Sequence, residues 1–150
     1  MFAIEVHTVF HAGHQLRLLD GTLEPYHEHD WHVTVRIVAR QLDDLETVLD
    51  FHAVEHALRG ICASFNKKCL NEIAPFQTDT AGGGRGSNKN PSAERVAEHI
   101  AELLTPQIET LAAGTGGGAK SFRAWLAEVR ITEAPGCLAF WIKDSQTPTT

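Results

Sequence analysis

Apolar positions along this chain follow two periods. Phe2, Ile4, Val6 and Thr8 share one parity, which predicts a strand over about residues 2–12. Asp20-Gly21 and Pro25 break the pattern and predict a loop over 15–26. Alternation returns between 27 and 40 through Trp31, Val33, Val35 and Ile37, and the same parity continues back into His29 and His27. Asp50 is a natural N-cap for a helix to about Phe65, with Phe51, Val54, Leu58, Ile61 and Phe65 at helical spacing. Asn90-Pro91 looks like a second cap and first turn, followed by the stripe Val96, Ile100, Leu103 and Leu104. Pro106 is expected to end or kink that helix. Trp125, Ala127, Val129 and Ile131 predict a third strand, Ala134-Pro135-Gly136 a turn, and Leu138, Phe140 and Ile142 a fourth strand.

The resulting order is β-β-α-α-β-β in one domain over 1–150. Strands joined without β-α-β crossovers predict an α+β fold: a four-stranded antiparallel sheet with two helices on one face. Gly- and Ser-rich residues at about 77–90, Gly114 with Gly116 to Gly118, and a tail at about 144–150 read as loops or ends. Two long open edges are a pairing hazard, so the edge strands are expected to pair with other copies in a closed homo-oligomer.

Composition narrows the function classes. The chain has 150 residues, 43% hydrophobic and 21% charged, which is ordinary for a globular domain. Its net charge of −6, with no basic cluster, argues against nucleic acid as a partner. No apolar window is long enough to span a membrane, and Met1 to Phe10 has no leader pattern. Cys62, Cys69 and Cys137 form no C-x-x-C pair and read as thiols of a reducing compartment, with the cytoplasm as the expected location.

The unusual count is histidine: nine, of which eight lie in the first 56 residues. His27 and His29 are two apart on a strand, so their rings share a face with about 7 Å between Cα atoms. That spacing suits two corners of a tetrahedral metal site, and equally a pair of surface histidines. His14, at the end of the neighbouring strand, is the leading third ligand; three histidines would leave a fourth position open, as catalytic zinc sites do. His7, His11 and His32 read as polar strand faces, and His52 and His56 as a solvated or packed helix face. Glu133, before the last turn, is either a solvated turn residue or an acceptor for the N–C–N edge of a heterocycle. Glu24 is either an exposed loop acid or a base for the site. Lys67 and Lys68 sit where basic residues commonly complement a helix C-terminus.

Taken in order, these pieces resemble one family, that of 6-pyruvoyl-tetrahydropterin and 6-carboxytetrahydropterin synthases, over about residues 3–142. Phe10-His11-Ala12-Gly13-His14-Gln15-Leu16 resembles the family's F-x-A-x-H-x-L. His27-Glu28-His29-Asp30-Trp31 resembles its H-G-H-N-Y, and Asp50-Phe51 the D-F that opens its first helix. Pro91-Ser92-Ala93-Glu94 resembles P-T-x-E, and Thr132-Glu133 its terminal anchor. The resemblance implies the tunnelling fold, in which subunits form trimers that stack into a hexameric barrel with sites at subunit interfaces. It also implies Zn²⁺ on His14, His27 and His29, and a pterin ring held by Glu133 with Thr132 beside it.

The chain departs from that pattern at the residues that move protons. Asp20-Gly21-Thr22-Leu23-Glu24-Pro25-Tyr26 lacks the family's cysteine, and Phe65-Asn66-Lys67-Lys68-Cys69-Leu70-Asn71 carries Asn66 and Lys67 where L-D-H-x-x-L-N has Asp and His. Some members are thought to use glutamate in place of the cysteine, which here implies Glu24 as base and Lys67 as proton donor or charge partner. The expected activity is a zinc-dependent lyase reaction on a dihydropterin side chain. A pterin-binding homologue without turnover and a structural zinc subunit are the alternatives.

Overall fold

The computed structural model describes residues 1–77, 89–114 and 124–144. Most of the Gly-rich stretch, Gly116 to Gly118 and the tail from 145 lie outside the described residues.

Strands β1 (Phe2–His14) and β2 (His27–Ala39) form an antiparallel ladder running from Phe2 opposite Ala39 to His14 opposite His27. The alternation explains this register. Val6, Phe10, Ala12 and His14 of β1 and Trp31, Val33, Val35 and Ile37 of β2 are buried, so the ladder sets one apolar face against the helices. Asp50 caps α1 (Phe51–Ala63) by accepting the His52 N–H at 2.8 Å. Helix α2 (Ala93–Gly114) lies against β4 (Ala124–Ala134) and β5 (Cys137–Ile142), with Gly136 at φ +80° in the turn between those strands.

Two expectations need correction. The sheet has five strands, not four, in the order β3-β1-β2-β4-β5. The added β3 (Lys68–Cys69) is only two residues long and runs parallel to β1 beside Ala12 and Gly13. A two-residue strand carries no alternation, so periodicity does not reveal it. Helix α2 also does not end at Pro106 but continues through it to Gly114. Proline removes one backbone bond, but the buried stripe Ile100, Leu104, Ile108 and Ala112 continues on both sides of it. Side chains cover nearby carbonyls: Thr105 donates to Ala101 O at 2.7 Å and Thr110 to Pro106 O at 2.9 Å. Leu103, placed in the stripe by its spacing, is exposed.

Among the described residues no helix is long and apolar enough to cross a membrane.

Candidate metal centre

The β1–β2 register puts His14 directly across from His27, with His29 opposite Ala12 on the same face. The ring centroids of His14 lie 4.3 Å from His27 and 5.1 Å from His29. Each ring is turned by a backbone carbonyl. Nδ1 of His14 donates to Pro91 O at 2.8 Å, that of His27 to Pro25 O at 3.1 Å, and that of His29 to Asp30 O at 3.3 Å. A carbonyl only accepts, so in the neutral form of each ring the proton sits on Nδ1 and Nε2 keeps its lone pair. The Nε2 atoms of His14 and His29 face each other at 3.2 Å, a poor arrangement for two lone pairs unless a cation sits between them. His14 is the only polar or charged residue buried among the described residues, 1% exposed, and that burial holds its pKa below the ordinary imidazole value. A neutral ring is the form that ligates.

Glu133 joins this group: ligand atoms of His14, His27, His29 and Glu133 all lie within 4.8 Å of one another. A cavity of about 310 Å³ opens beside it, lined by His14, Ser92, Glu94, Glu133 and Cys137 among others. Thr132, one residue earlier, is held in the ladder between His32 and Leu138.

The other candidates stand outside this group. Glu24 is half-buried, and its Oε1 accepts the Leu16 N–H at 3.0 Å. Lys67 is exposed after α1, at φ +58°, and its N–H donates to His11 O. His52 and His56 are exposed, as a solvated helix face requires. His7 and His32 stack on each other with centroids 5.8 Å apart.

Residues that periodicity passes over hold the chain leaving His14. The Gln15 N–H donates to Asn71 Oδ1 at 2.9 Å and Asn71 Nδ2 donates to Gln15 O at 2.8 Å. Asn90 makes the same pair with Arg17, at 2.7 and 2.9 Å. Each amide thus offers the backbone a donor and an acceptor side by side, as a neighbouring strand does. Asn71→Ala or Asn90→Ala is expected to cost about 1–3 kcal/mol, because a part-buried N–H and C=O lose their partners together. Urea unfolding measures this, and an unchanged midpoint would show that water replaces the amide. The only sequence signals for them were Leu70-Asn71 and Asn90-Pro91 within the motifs, since Asn also suits exposed turns.

On the opposite face of the two strands, His11 Nδ1 lies 2.9 Å from Asp30 Oδ1 and Nε2 lies 3.5 Å from Glu28 Oε2. Glu28 also accepts from the Tyr26 hydroxyl at 2.7 Å, and the Tyr26 ring rests where a Cβ on residue 13 would stand, a placement that Gly13 permits. The Asp30 bond, then the Glu28 bond, raises the His11 pKa above 6.5. His11 therefore favours the folded state below pH 6.5, and that contribution fades as pH rises through its folded pKa. An NMR titration should place its midpoint above 6.5, with Asp30→Asn lowering it more than Glu28→Gln. Equal midpoints in all three proteins would dissolve the cluster.

Comparison with known proteins shows the family and the fold. Residues 3–143 match the family described as 6-pyruvoyl tetrahydropterin synthase. The chain belongs to that family. Its fold is that of solved members at low identity. The Caenorhabditis elegans 6-pyruvoyl tetrahydropterin synthase is 15% identical, with a TM-score of 0.66 over 95% of this chain and 96% of that one. The Plasmodium vivax enzyme is 16% identical, with a TM-score of 0.68 over 95% and 99%. An uncharacterised Wolinella succinogenes protein is 18% identical, with a TM-score of 0.67 over 95% and 98%. No curated protein matches the chain by sequence.

Proposed function

We propose that the protein is a zinc-dependent enzyme that cleaves a bond in the side chain of a dihydropterin. The observation that carries this reading is the convergence of three Nε2 lone pairs beside a cavity that Glu133 also lines, in a chain of this family. The donor set fits Zn²⁺, which takes three histidines and leaves a fourth position for reaction. When bound, the ion would supply Lewis acidity toward the oxygens of the substrate side chain.

The chain's own residues supply the rest. His14, His27 and His29 hold the ion, with their tautomers fixed by Pro91, Pro25 and Asp30 carbonyls. The Glu133 carboxylate accepts the two N–H groups of the pterin's pyrimidine edge, and Thr132 positions it. Glu24 is the base, on the loop three residues before β2 begins. A glutamate is the residue replaced as catalytic in solved variants of the Plasmodium vivax synthase, which supports a carboxylate in this role within this fold. Lys67 is the proton donor or charge partner. Homo-oligomers, trimers stacked as hexamers, fit a sheet in which β3 covers only Ala12 and Gly13 of β1 and in which β5 forms the other edge. The cytoplasm is the proposed location.

The test is incubation of zinc-loaded protein with dihydroneopterin triphosphate and mass analysis of the products. A product with a shortened or dephosphorylated side chain is expected, with Glu24→Ala slower by about 10²–10⁴-fold. Tight binding without turnover would make the protein a pterin-binding homologue. No pterin affinity would point to a structural zinc subunit. Full turnover by Glu24→Ala would remove Glu24 as base.

A further inference from the structure

The carboxylate proposed above as ring anchor stands among the metal ligands. Glu133 Oε1 lies 3.3 Å from His14 Nε2 and 3.4 Å from His29 Nε2, and those two nitrogens are 3.2 Å apart. Ligand atoms at the corners of a tetrahedron around zinc, each about 2.0–2.1 Å from it, are roughly 3.3–3.4 Å from one another. Three edges of such a tetrahedron are therefore already present, and Glu133 supplies one of its corners.

The backbone explains how one side chain can serve two places. The register of β4 against β5 shifts between Thr132 and Ala134, so Glu133 has no partner across β5. The ladder with β2 ends one residue earlier, at His32 opposite Thr132. Bulged residues of this kind re-aim side chains at strand ends. Glu133 also lines the neighbouring cavity with His14, Leu16 and Ala139, so its carboxylate stands where the two meet and a side-chain rotation could bring it to either. Its side chain is 35% exposed, which leaves room for that rotation.

We infer that Glu133 is the fourth ligand of the metal while the cavity is empty, and that it leaves this position when a heterocycle enters the cavity and engages its carboxylate. The second half rests on the pterin reading; the first half does not. The site is then closed against water and adventitious ligands at rest, and its fourth position opens only when the ring is seated. Closed four-ligand sites are characteristically structural and open ones catalytic, and one mobile carboxylate converts between them.

The experiment uses Co²⁺ as the spectroscopic probe in the full chain, comparing the unaltered protein with Glu133→Gln and Glu133→Ala. Glu133→Gln keeps the side chain's shape, so it remains informative if Glu133→Ala folds poorly. The expected result is Co²⁺ binding at least ~10-fold weaker in both variants, with visible absorption bands moved from those of the unaltered protein. Equal affinity and identical bands in all three proteins would overturn the ligand assignment. Dihydroneopterin is then added to the unaltered Co²⁺ protein, with its binding followed separately by its own fluorescence. Binding that moves the bands toward those of Glu133→Ala supports the exchange, and binding that leaves them unmoved overturns it. Absence of dihydroneopterin binding would overturn the pterin reading and with it the exchange, while the Co²⁺ comparison still decides whether Glu133 is a ligand.

Discussion

Replacing His14 by alanine is expected to abolish metal retention, weakening Zn²⁺ binding by more than the ~10–100-fold that loss of an outer partner costs. His14 is the central member of the group: it lies across from His27 in the ladder, faces His29 Nε2 at 3.2 Å and approaches Glu133 at 3.3 Å. It is also the one ligand sealed in the core, with Nδ1 on Pro91 O ahead of α2. His14→Ala removes a ligand and leaves that carbonyl without its donor, so a stability loss of about 1–3 kcal/mol should accompany the loss of metal. His27 is exposed, and His27→Ala should weaken the metal with little effect on the metal-free fold. Competition with a coloured chelator measures the first effect and urea unfolding of metal-free protein the second. Zinc affinity in His14→Ala equal to that of the unaltered chain would remove His14 from the site.

Trp31→Ala should be the most destabilising substitution on the strand that carries His27 and His29, at about 3–5 kcal/mol. Trp31 is fully buried, stacks on Phe10 at 5.8 Å and on His29 at 4.6 Å, and meets His14 edge-on at 4.8 Å. Its indole N–H donates to Ala12 O at 3.2 Å. It therefore joins the apolar core to the metal group and fixes the wall against which two ligand rings rest. Against a total stability of about 5–15 kcal/mol, such a loss leaves a marginal fold. Trp31→Phe keeps an aromatic surface but removes the indole donor to the Ala12 carbonyl, and should cost about 1–3 kcal/mol. Both variants should also bind Zn²⁺ more weakly than the unaltered protein, because His29 loses its stacking wall. A loss below about 1 kcal/mol in Trp31→Ala would show that the core refills the space and that the wall is not needed.

Much of this site is legible in the strand pattern. The shared parity of His27, His29, Trp31, Val33, Val35 and Ile37 puts two candidate ligand rings on the apolar face, because side chains alternate strictly along a strand. His14 follows from the same rule applied to β1, where it continues the parity of Val6 and Phe10. Glu133 was legible as a residue before a turn and, through the resemblance, as a ring anchor, but not as a neighbour of the histidines. Its approach to the histidines depends on β4 lying beside β2 and on a shift of register that leaves no mark on the alternation of apolar residues. The partners of the ligands were less legible still. Pro91 precedes a helix in sequence, yet its carbonyl turns a histidine 77 residues away. The clamps made by Asn71 and Asn90 read as ordinary turn residues until the chain brings Gln15 and Arg17 to them.

Fold class, the main elements and three histidine ligand candidates thus follow from this sequence alone, because each rests on a period of two or 3.6 and on burial of one face. The length of α2 and the fifth strand needed the tertiary structure. Packing of Leu104 and Ile108 outweighs a single proline, and β3 exists only through pairing with β1. The tautomers of the three rings, the position of Glu133 and the engagement of Glu24 with Leu16 are decided there too. These are contacts between residues far apart in sequence, or they depend on a backbone carbonyl whose direction no side-chain pattern encodes. Histidine spacing nominates His14, His27 and His29 for a metal, and the fold decides which nitrogen of each ring faces the group that could hold it.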